Sequence, residues 1–384
     1  MKLTSVNVND VKPDLDKPLI ETVGKSVEEG LGLLARVGLG DAFLFLRTFD
    51  QLSDGQKYRY RIAKMVESGA KFWILDEFAA TLDRDTAKVV AWNLAKIARA
   101  EGKCVLAATT HTDLLEDLNP DVHVHKRVGK EIHVAYCPDP MKRECSLAGE
   151  MKVAEGSTAD WRQLSGFHYR SHKIAAPRKI FCLRRGEELC GVIVYCYPPV
   201  TSFGRRLVLP KMSMKELNEK LSVISRVVVH PKYWTIGLGS KLIHDTIALA
   251  GTEYVEMSAV MAKYNPFAEK AGMKRILEQR PPKEAVSIVS VLEGLGFDTQ
   301  LLGSRTCVVS KLQALAEIDV LRIREAFAKH RHPRFMKSFS HLPFGTKDAY
   351  VKEIMAADLD KLANLIRICG FLMQTKVYLF WRRM

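Results

Sequence analysis

A short apolar run that ends in two carboxylates constrains the fold of this chain most strongly. The run 72–75 (Phe-Trp-Ile-Leu) leads directly into Asp76 and Glu77. Such a run indicates a buried strand of a parallel sheet whose carboxyl end presents both acids at one edge. Upstream, residues 52–56 (Leu-Ser-Asp-Gly-Gln) predict a turn into a helix over 57–68, where free backbone amides can hold a phosphate. The sequence therefore predicts an α/β fold with part of a nucleotide site.

A third element follows in a fixed order. Residues 104–111 predict another buried strand, which ends at His111. Together these motifs resemble the C-terminal half of an ABC-type ATPase domain. The resemblance implies that Asp76 holds Mg²⁺ through water, that Glu77 orients or deprotonates the attacking water, and that His111 contacts the γ-phosphate. It also implies an ATP signature, whose residues are Ser53, Gly55, Gln56 and Asp83.

The first half of such a site is missing from residues 1–384. No G-x-x-x-x-G-K-[ST] motif occurs, and Asp54 stands where the family signature usually has glycine. The sequence 24–26 (Gly-Lys-Ser) resembles the tail of that motif, but no strand precedes it, so it predicts a helix start. Residues 1–51 resemble the end of a helical subdomain, with a helix over 20–37 that is stopped by 38–40 (Gly-Leu-Gly).

Two arrangements can complete the nucleotide site. ABC-type sites are composite, so a dimer partner can supply the phosphate loop while this chain supplies the signature. Alternatively, the missing N-terminal half lies upstream of Met1, and this is the more expected arrangement. In both cases ATP and Mg²⁺ are cofactors only when a phosphate-loop half is supplied, and the chain alone is expected to bind ATP weakly.

A second group of motifs begins near residue 150. Runs at 178–183, 191–197 and 222–229 predict strands, and 237–239 (Gly-Leu-Gly) then lead into an amphipathic helix over 241–250. This arrangement resembles the acetyl-CoA loop of GCN5-related N-acetyltransferases (GNAT), in which glycines let the backbone approach the pyrophosphate. The resemblance implies acetyl-CoA as cofactor. The implied contact residues are Val228, Val229, Ile236, Gly237, Leu238, Gly239, Ser240 and Asn265.

Three departures from the GNAT pattern limit the chemistry. Trp234 stands where arginine or glutamine is usual, so one side-chain interaction with the pyrophosphate is expected to be absent. Ala268 stands where many relatives place the tyrosine that protonates the leaving thiolate, and the strand before the loop lacks an obvious glutamate base. The candidate substitutes for these groups are Tyr264, Glu256 and His230. Because positioning supplies much of the rate of acyl transfer, a missing general acid is not fatal to activity.

The net charge of +14 is unevenly distributed. Residues 1–150 carry 21 basic and 23 acidic side chains, whereas residues 151–384 carry 37 and 21. This excess favours a polyanionic partner, RNA or DNA. The densest candidate contacts are Arg322, Arg324, Lys329, Arg331, Arg334 and Lys337. Phe335 and Phe339 lie close enough in sequence to stack on bases. The alternatives are a solvated helix face or a surface that docks the acidic N-terminal half.

Four segments are predicted. They are an ABC-type half-domain (1–140), a linker (141–157), an α+β GNAT-like domain (158–300) and a basic, mainly helical region (301–384). In the last region we expect helices over 283–295, 312–329 and 349–367 and a short strand over 306–310. The final residues 378–383 either contact nucleic acid or form a docked strand. The fold class is thus α/β for the first domain, followed by α+β.

The remaining sequence features favour a cytoplasmic protein. No stretch is apolar enough to span a membrane, and no signal peptide is recognisable. Eight cysteines without a Cys-x-x-Cys pair are typical of reduced, buried thiols. Two functions remain open. The first is an ATP-linked N-acetyltransferase that acts on RNA or on an amine associated with nucleic acid. The second is a nucleic-acid-binding ATPase switch whose GNAT-like domain is not catalytic.

Overall fold

The N-terminal part is built on three short parallel strands. The computed structural model describes residues 4–137, 144–168, 173–339 and 346–383. Its first sheet has the order β1 (Ser5–Asn7), β2 (Phe72–Leu75) and β3 (Cys104–Ala107). Strand β2 is central, with Phe72 opposite Ser5 on one side and Cys104 on the other. The strand before the two carboxylates is therefore where the sequence predicted it, whereas β1 lies in a segment predicted to be helical.

Helices cover this small sheet, and polar residues set their limits. The helices are α1 (Leu19–Thr22), α2 (Val27–Arg36), α3 (Ala42–Phe45), α4 (Asp54–Glu67), α5 (Arg84–Glu101) and α6 (Leu115–Leu118). Ser53 caps the start of α4, and Asp83 caps α5 by accepting a hydrogen bond from the Thr86 amide. Gly102, at φ +60°, ends α5 in the left-handed region. The long helix α5 thus starts shortly after the two carboxylates.

A two-stranded hairpin ends this part of the chain. Its strands are β4 (Val122–Lys126) and β5 (Ile132–Tyr136), and His125 lies opposite His133. Val124 and Val134 face each other across the hairpin and are both exposed. Among the residues that the structure describes, no group of three or more metal-ligating side chains is close enough to hold a metal ion.

The second part of the chain is organised around a seven-stranded sheet of order β11-β12-β10-β9-β8-β7-β6. Its strands are β6 (Lys152–Glu155), β7 (Pro177–Arg185), β8 (Glu188–Cys196), β9 (Leu221–Val229), β10 (Tyr254–Ala259), β11 (Lys274–Gln279) and β12 (Lys376–Arg382). The helices around it are α7 (Ser146–Glu150), α8 (Thr158–Leu164), α9 (Met214–Lys220), α10 (Leu238–Thr246) and α11 (Phe267–Lys270). Strands β9 and β10 run parallel, and the other neighbours are antiparallel.

The sheet extends past both predicted limits of the GNAT-like domain. The predicted linker 141–157 contains α7 and β6, and its residues 141–143 lie outside the described residues. Leu147 and Met151 are buried in the same core as β8 and α10. At the other end, β12 inserts between β10 and β11, so the final residues form a docked strand. The linker prediction is wrong for residues 144–157, because apolar side chains there pack into the sheet.

The helical region is an insertion between the last two strands of this sheet. Its helices are α12 (Lys283–Gly294), α13 (Arg305–Gln313), α14 (Glu317–Lys329), α15 (Pro333–Met336), α16 (Lys347–Met355) and α17 (Leu359–Leu372). They enclose a separate apolar core. The predicted strand over 306–310 is wrong, because Ser304 caps a helix there and Val308 packs into that core. No helix among the described residues is long and apolar enough to cross a membrane.

Candidate functional site

Strands β9 and β10 separate halfway along their length. They pair from Leu221 opposite Tyr254 to Ile224 opposite Met257, and no pairing follows in the described structure. At this point β9 bulges, because Ile224 faces Tyr195 of β8 and Arg226 faces Val194, which leaves Ser225 as the extra residue. Beyond the bulge, β9 stays paired to β8 alone up to Val229. The result is a cleft between two parallel strands, lined by backbone that can pair with an extended ligand.

The residues after β9 form an open helix N-terminus at the mouth of this cleft. Gly237 is the N-cap of α10, has φ +89°, and supplies no side-chain cap. A Cβ atom built at Gly237 would meet nothing within 4 Å, and one at Gly239 would only touch Phe267 at 3.7 Å. The first amides of α10 are therefore not capped by a side chain, and the space above them is open. Such a turn fits a diphosphate.

Several of the predicted acetyl-CoA residues can offer a ligand only their backbone atoms, and others are bonded within the protein. The side chains of Val228, Ile236 and Leu238 are buried in the apolar core, so only their backbone atoms can contact a ligand. The Ser240 hydroxyl donates to the Phe267 carbonyl at 2.8 Å and thereby ties α10 to α11. The carbonyl of Val229 accepts a hydrogen bond from Nε1 of Trp234 at 2.8 Å. Trp234, which stands where arginine or glutamine is usual in the GNAT pattern, thus ties the loop to the end of β9.

The loop after β10 places two candidates near the same mouth. Tyr264 and Asn265 follow the end of β10, and both amides bond to the carbonyl of Met261. Tyr264 is 65% exposed, so its hydroxyl can reach a ligand. Ala268, in contrast, is fully buried in the core and offers no proton donor. Of these two positions, only 264 therefore carries an exposed side chain with a proton to donate.

Glu256 lies in a buried ion pair, where it is only 2% exposed. Its carboxylate accepts hydrogen bonds from Nη2 and Nε of Arg205, at 2.6 and 3.0 Å, and from the Tyr378 hydroxyl at 2.7 Å. Burial, with the neighbouring carboxylate next, raises the pKa of Tyr378 well above its usual value. Because both carboxylate oxygens are engaged, Glu256 holds β10, β12 and the loop before α9 together and is poorly placed to accept a substrate proton.

His230 directly follows β9 and is partly buried. Its Nδ1 accepts from the Lys232 amide at 3.3 Å, and its ring packs edge-on against Phe167. Burial holds the pKa of His230 below its usual value, so the imidazole is neutral at pH 7. The geometry assigns it a role in shaping the loop.

A feature that the sequence did not reveal is the pair of serines at the start of the cleft. Ser225 and Ser258 are the residues that follow the last parallel pair on β9 and β10. The Ser225 hydroxyl lies 3.0 Å from the Cys196 sulfur, whereas Ser258 is exposed. The sequence does not reveal the bulge, because a serine is equally compatible with a regularly paired strand.

The nucleotide-type candidates meet at the carboxyl end of the first sheet. Asp76 and Glu77 follow β2, and His111 follows β3, which is its parallel neighbour. The two ends are tied together, because the Phe78 amide donates to the Ala108 carbonyl and the Thr109 hydroxyl to the Phe78 carbonyl. Glu77 has a φ of +52°, a strained conformation for a residue with a side chain, and its carboxylate is exposed. The fold therefore places these three residues after two neighbouring parallel strands, at the same end of the sheet.

Two of the predicted ATP signature residues, Ser53 and Gln56, form the N-terminal cap of α4, close to the residues before Asp83. Ser53 and Gln56 make reciprocal hydrogen bonds, each side chain accepting from the other residue's amide. A Cβ atom at Gly55 would lie 3.1 Å from Leu82, so this turn packs closely against the residue before Asp83. The side chains of Ser53 and Gln56 would have to break these hydrogen bonds before they could contact a phosphate.

The segment 24–26 is a helix start and not a phosphate loop. The Gly24 amide donates to the Glu67 carboxylate at 2.8 Å, and the Ser26 hydroxyl accepts from the Glu29 amide. Ser26 is the N-cap of α2. The predicted helix start is confirmed, because Ser26 caps α2 and the Gly24 amide is already bonded to a carboxylate.

The predicted nucleic-acid residues lie on α14 and α15 or within two residues of their ends. The exposed members are Arg322, Lys329, Arg331, Arg334 and Lys337. Arg324 is partly buried and donates to the Ala357 carbonyl, so it is structural. Phe335 and Phe339 are buried in the helical core, and the prediction that they stack on bases is therefore wrong.

Comparison with known proteins does not give this chain a family. No protein-family model and no curated protein matches the chain. Among solved structures, a Bacillus subtilis acetyltransferase in complex with CoA is similar to 34% of this chain and 80% of that one, at 15% identity and a TM-score of 0.25. A likeness of this size does not establish a family for the chain.

Proposed function

We propose that this chain is an N-acetyltransferase that binds acetyl-CoA in the cleft between β9 and β10. The observation that carries the proposal is the separation of these parallel strands at the Ser225 bulge, directly before a glycine-capped helix. The cleft suits the extended, amide-containing arm of the cofactor. The open N-terminus of α10 suits its diphosphate.

The chain's own residues have separate tasks in this site. The amides from Leu238 to Ser240 would bind the diphosphate, and the backbone of β9 beyond Ser225 would orient the arm. Acetyl-CoA, when bound, supplies the activated acetyl thioester. Tyr264, exposed after β10, would donate a proton from its hydroxyl. Since Glu256 is held by Arg205, the acceptor amine would have to arrive unprotonated or lose its proton to water.

Acetyl-CoA binding tests the proposal directly. Calorimetric titration should give micromolar affinity for the wild-type chain and no detectable binding for Gly239→Glu. The new carboxylate repels the diphosphate, while the helix tolerates it because an acid near a helix N-terminus is favourable. A Gly294→Glu variant, which adds the same charge at an exposed site with open space around it, should bind normally. No binding by folded wild-type chain would refute the proposal.

The basic helical insertion is proposed to bind a polyanionic acceptor, RNA. The insertion leaves the sheet after Gln279 and returns at Lys376, which are partners across β11 and β12. The next residue, Val377, pairs with Ala259 at the end of β10 where the cleft opens. Both connections therefore lie at the mouth of the proposed site. An acceptor bound to the exposed basic side chains of α14 and α15 would thus be held by an insertion that joins the sheet beside the proposed site.

RNA binding should depend on these basic side chains. Replacing Lys329, Arg334 and Lys337 with alanine should weaken binding to a short labelled RNA and lower the salt slope by about 0.7 for each phosphate that the variant no longer neutralises. Fluorescence anisotropy across a salt series measures both quantities. A control that removes Lys12, Lys25 and Lys130, which are exposed in the N-terminal half, should keep the slope. Equal effects in the two triple variants would contradict an acceptor surface on the insertion.

A second candidate function is a nucleic-acid-binding ATPase switch with a non-catalytic GNAT-like domain. The observations that favour it are the engaged Glu256 and the buried Ala268, which leave the described part of the cleft without a base or acid at these two positions. In both functions ATP and Mg²⁺ would act at Asp76, Glu77 and His111 with a phosphate loop from a partner or from an upstream half. Salt-dependent RNA binding without acetyl-CoA binding would favour the switch.

A further inference from the structure

Helix α5, in the N-terminal half, contacts the proposed acetyl-CoA loop through the carboxylate of Asp85. The Asp85 carboxylate, in its first turn, accepts hydrogen bonds from both terminal nitrogens of Arg185 at 2.8 and 2.6 Å. Nζ of Lys232, in the loop after β9, lies 2.5 Å from the same carboxylate. The Asp85 side chain is only 18% exposed. Hydrogen bonding by Arg185 holds the pKa of Asp85 far below its usual range, so this acid stays charged.

Two turns further along, α5 contacts the loop again through Asn93. This side chain is 5% exposed, and its Nδ2 donates to Oγ1 of Thr235 at 2.5 Å. Thr235 has a φ of +74°, which a β-branched residue rarely adopts. Such a conformation persists only where the surroundings hold it. Asn93 is thus the residue of α5 whose side chain bonds to Thr235, and Thr235 lies two positions before Gly237.

Apolar contacts close the same interface. Val89 and Trp92 of α5 are buried in the core that contains Tyr233 and Ile236 of the loop. A Cβ atom at Gly40 would lie 3.0 Å from the Trp234 ring, so the segment before α3 also packs against the loop. The N-terminal half therefore touches four consecutive parts of the loop, at residues 232, 233, 234 and 235.

We infer that Asp85 and Asn93 are positioning residues, which hold the loop 230–237 in the conformation that opens the first turn of α10 to acetyl-CoA. This inference rests on the proposed function. Helix α5 begins at Arg84, whose Nε donates to the Asp113 carboxylate at 3.1 Å, two residues after His111. The same helix therefore contacts the segment that carries His111 as well as the loop. A shift of α5 at the nucleotide-type site would move Asn93 and change the loop. Through α5, the N-terminal half would thus set the affinity of the C-terminal half for acetyl-CoA.

Removal of the Asn93 side chain tests the inference with two readouts. In Asn93→Ala, hydrogen exchange of the amides over 232–240 in the ligand-free chain should become faster. The affinity for acetyl-CoA should fall by about tenfold, which corresponds to the loss of one well-formed hydrogen bond. Thr235→Ala removes the same hydrogen bond through its other partner. Because Thr235 is exposed, this variant leaves no cavity. The double variant should be no worse than either single variant.

The outcomes separate this inference from the proposed function. A Glu101→Gln variant breaks the Arg36 pair at the far end of α5 and should leave both readouts unchanged. If the wild-type chain binds acetyl-CoA and Asn93→Ala changes neither exchange nor affinity, the positioning role is overturned. If the wild-type chain does not bind acetyl-CoA, the proposed function fails, while the exchange experiment still decides whether α5 orders the loop.

Discussion

Replacement of Arg205 with methionine should destabilise the chain by about 3–5 kcal/mol, because it leaves the Glu256 carboxylate charged and buried without its partner. Arg205 and Glu256 are 7% and 2% exposed, and two short hydrogen bonds join them. Arg205 also donates to the carbonyl of Pro199 at 2.8 Å. Urea denaturation, followed by the fluorescence of the tryptophans, measures the change in the free energy of unfolding.

The adjacent residue provides a matched control for this prediction. Arg206 is exposed, and Arg206→Met should change the free energy of unfolding by less than about 0.5 kcal/mol. The double variant Arg205→Met with Glu256→Gln should recover part of the loss, since it removes the buried charge as well. Similar stability of the Arg205 and Arg206 variants would show that the pair does not form.

The pair also shows which parts of the fold a sequence can predict. Local patterns predicted β2, the helix after Ser53 and the loop around Gly237, because each depends on neighbouring residues. The environment of Glu256 depends on Arg205 and on Tyr378, which lie far from it in sequence. An alternating strand pattern does not reveal that β12 returns to cover β10. The acid was therefore a reasonable catalytic candidate from sequence and is a structural group in the fold.

Two local patterns misled for physical reasons. Residues 306–310 contain Thr306, Val308 and Val309, whose β-branched side chains favour a strand. The cap at Ser304 and packing against α17 outweigh that preference. The aromatic residues Phe335 and Phe339 lie among basic residues in sequence but are buried in the apolar core of the helical insertion. A charge run therefore indicated the exposed surface correctly without indicating which aromatic rings share it.

Purified chain should hydrolyse no ATP beyond the level of its Glu77→Gln variant. Asp76, Glu77 and His111 follow neighbouring strands at the same end of the sheet, but binding of the β- and γ-phosphates requires a loop of free amides and a lysine in a motif that residues 1–384 do not contain. The Gly24 amide is already engaged by Glu67. Phosphate release, measured with Mg²⁺ and a range of ATP concentrations, checks the expectation. Turnover that Glu77→Gln abolishes would show that another segment forms the phosphate site.

Strand β3 offers a place where a proposed partner with a phosphate loop could join the first sheet. Strand β3 lies at the edge of the described sheet, and Leu106 on it is 61% exposed. Strands of parallel sheets are normally covered on both faces, whereas one face of β3 is exposed at Leu106 among the described residues. A segment added at this edge would end beside His111, since neighbouring parallel strands end at the same side. We therefore expect ATP turnover to depend on a polypeptide that pairs with β3, and substitution of Leu106 with aspartate to abolish the turnover that such a polypeptide restores.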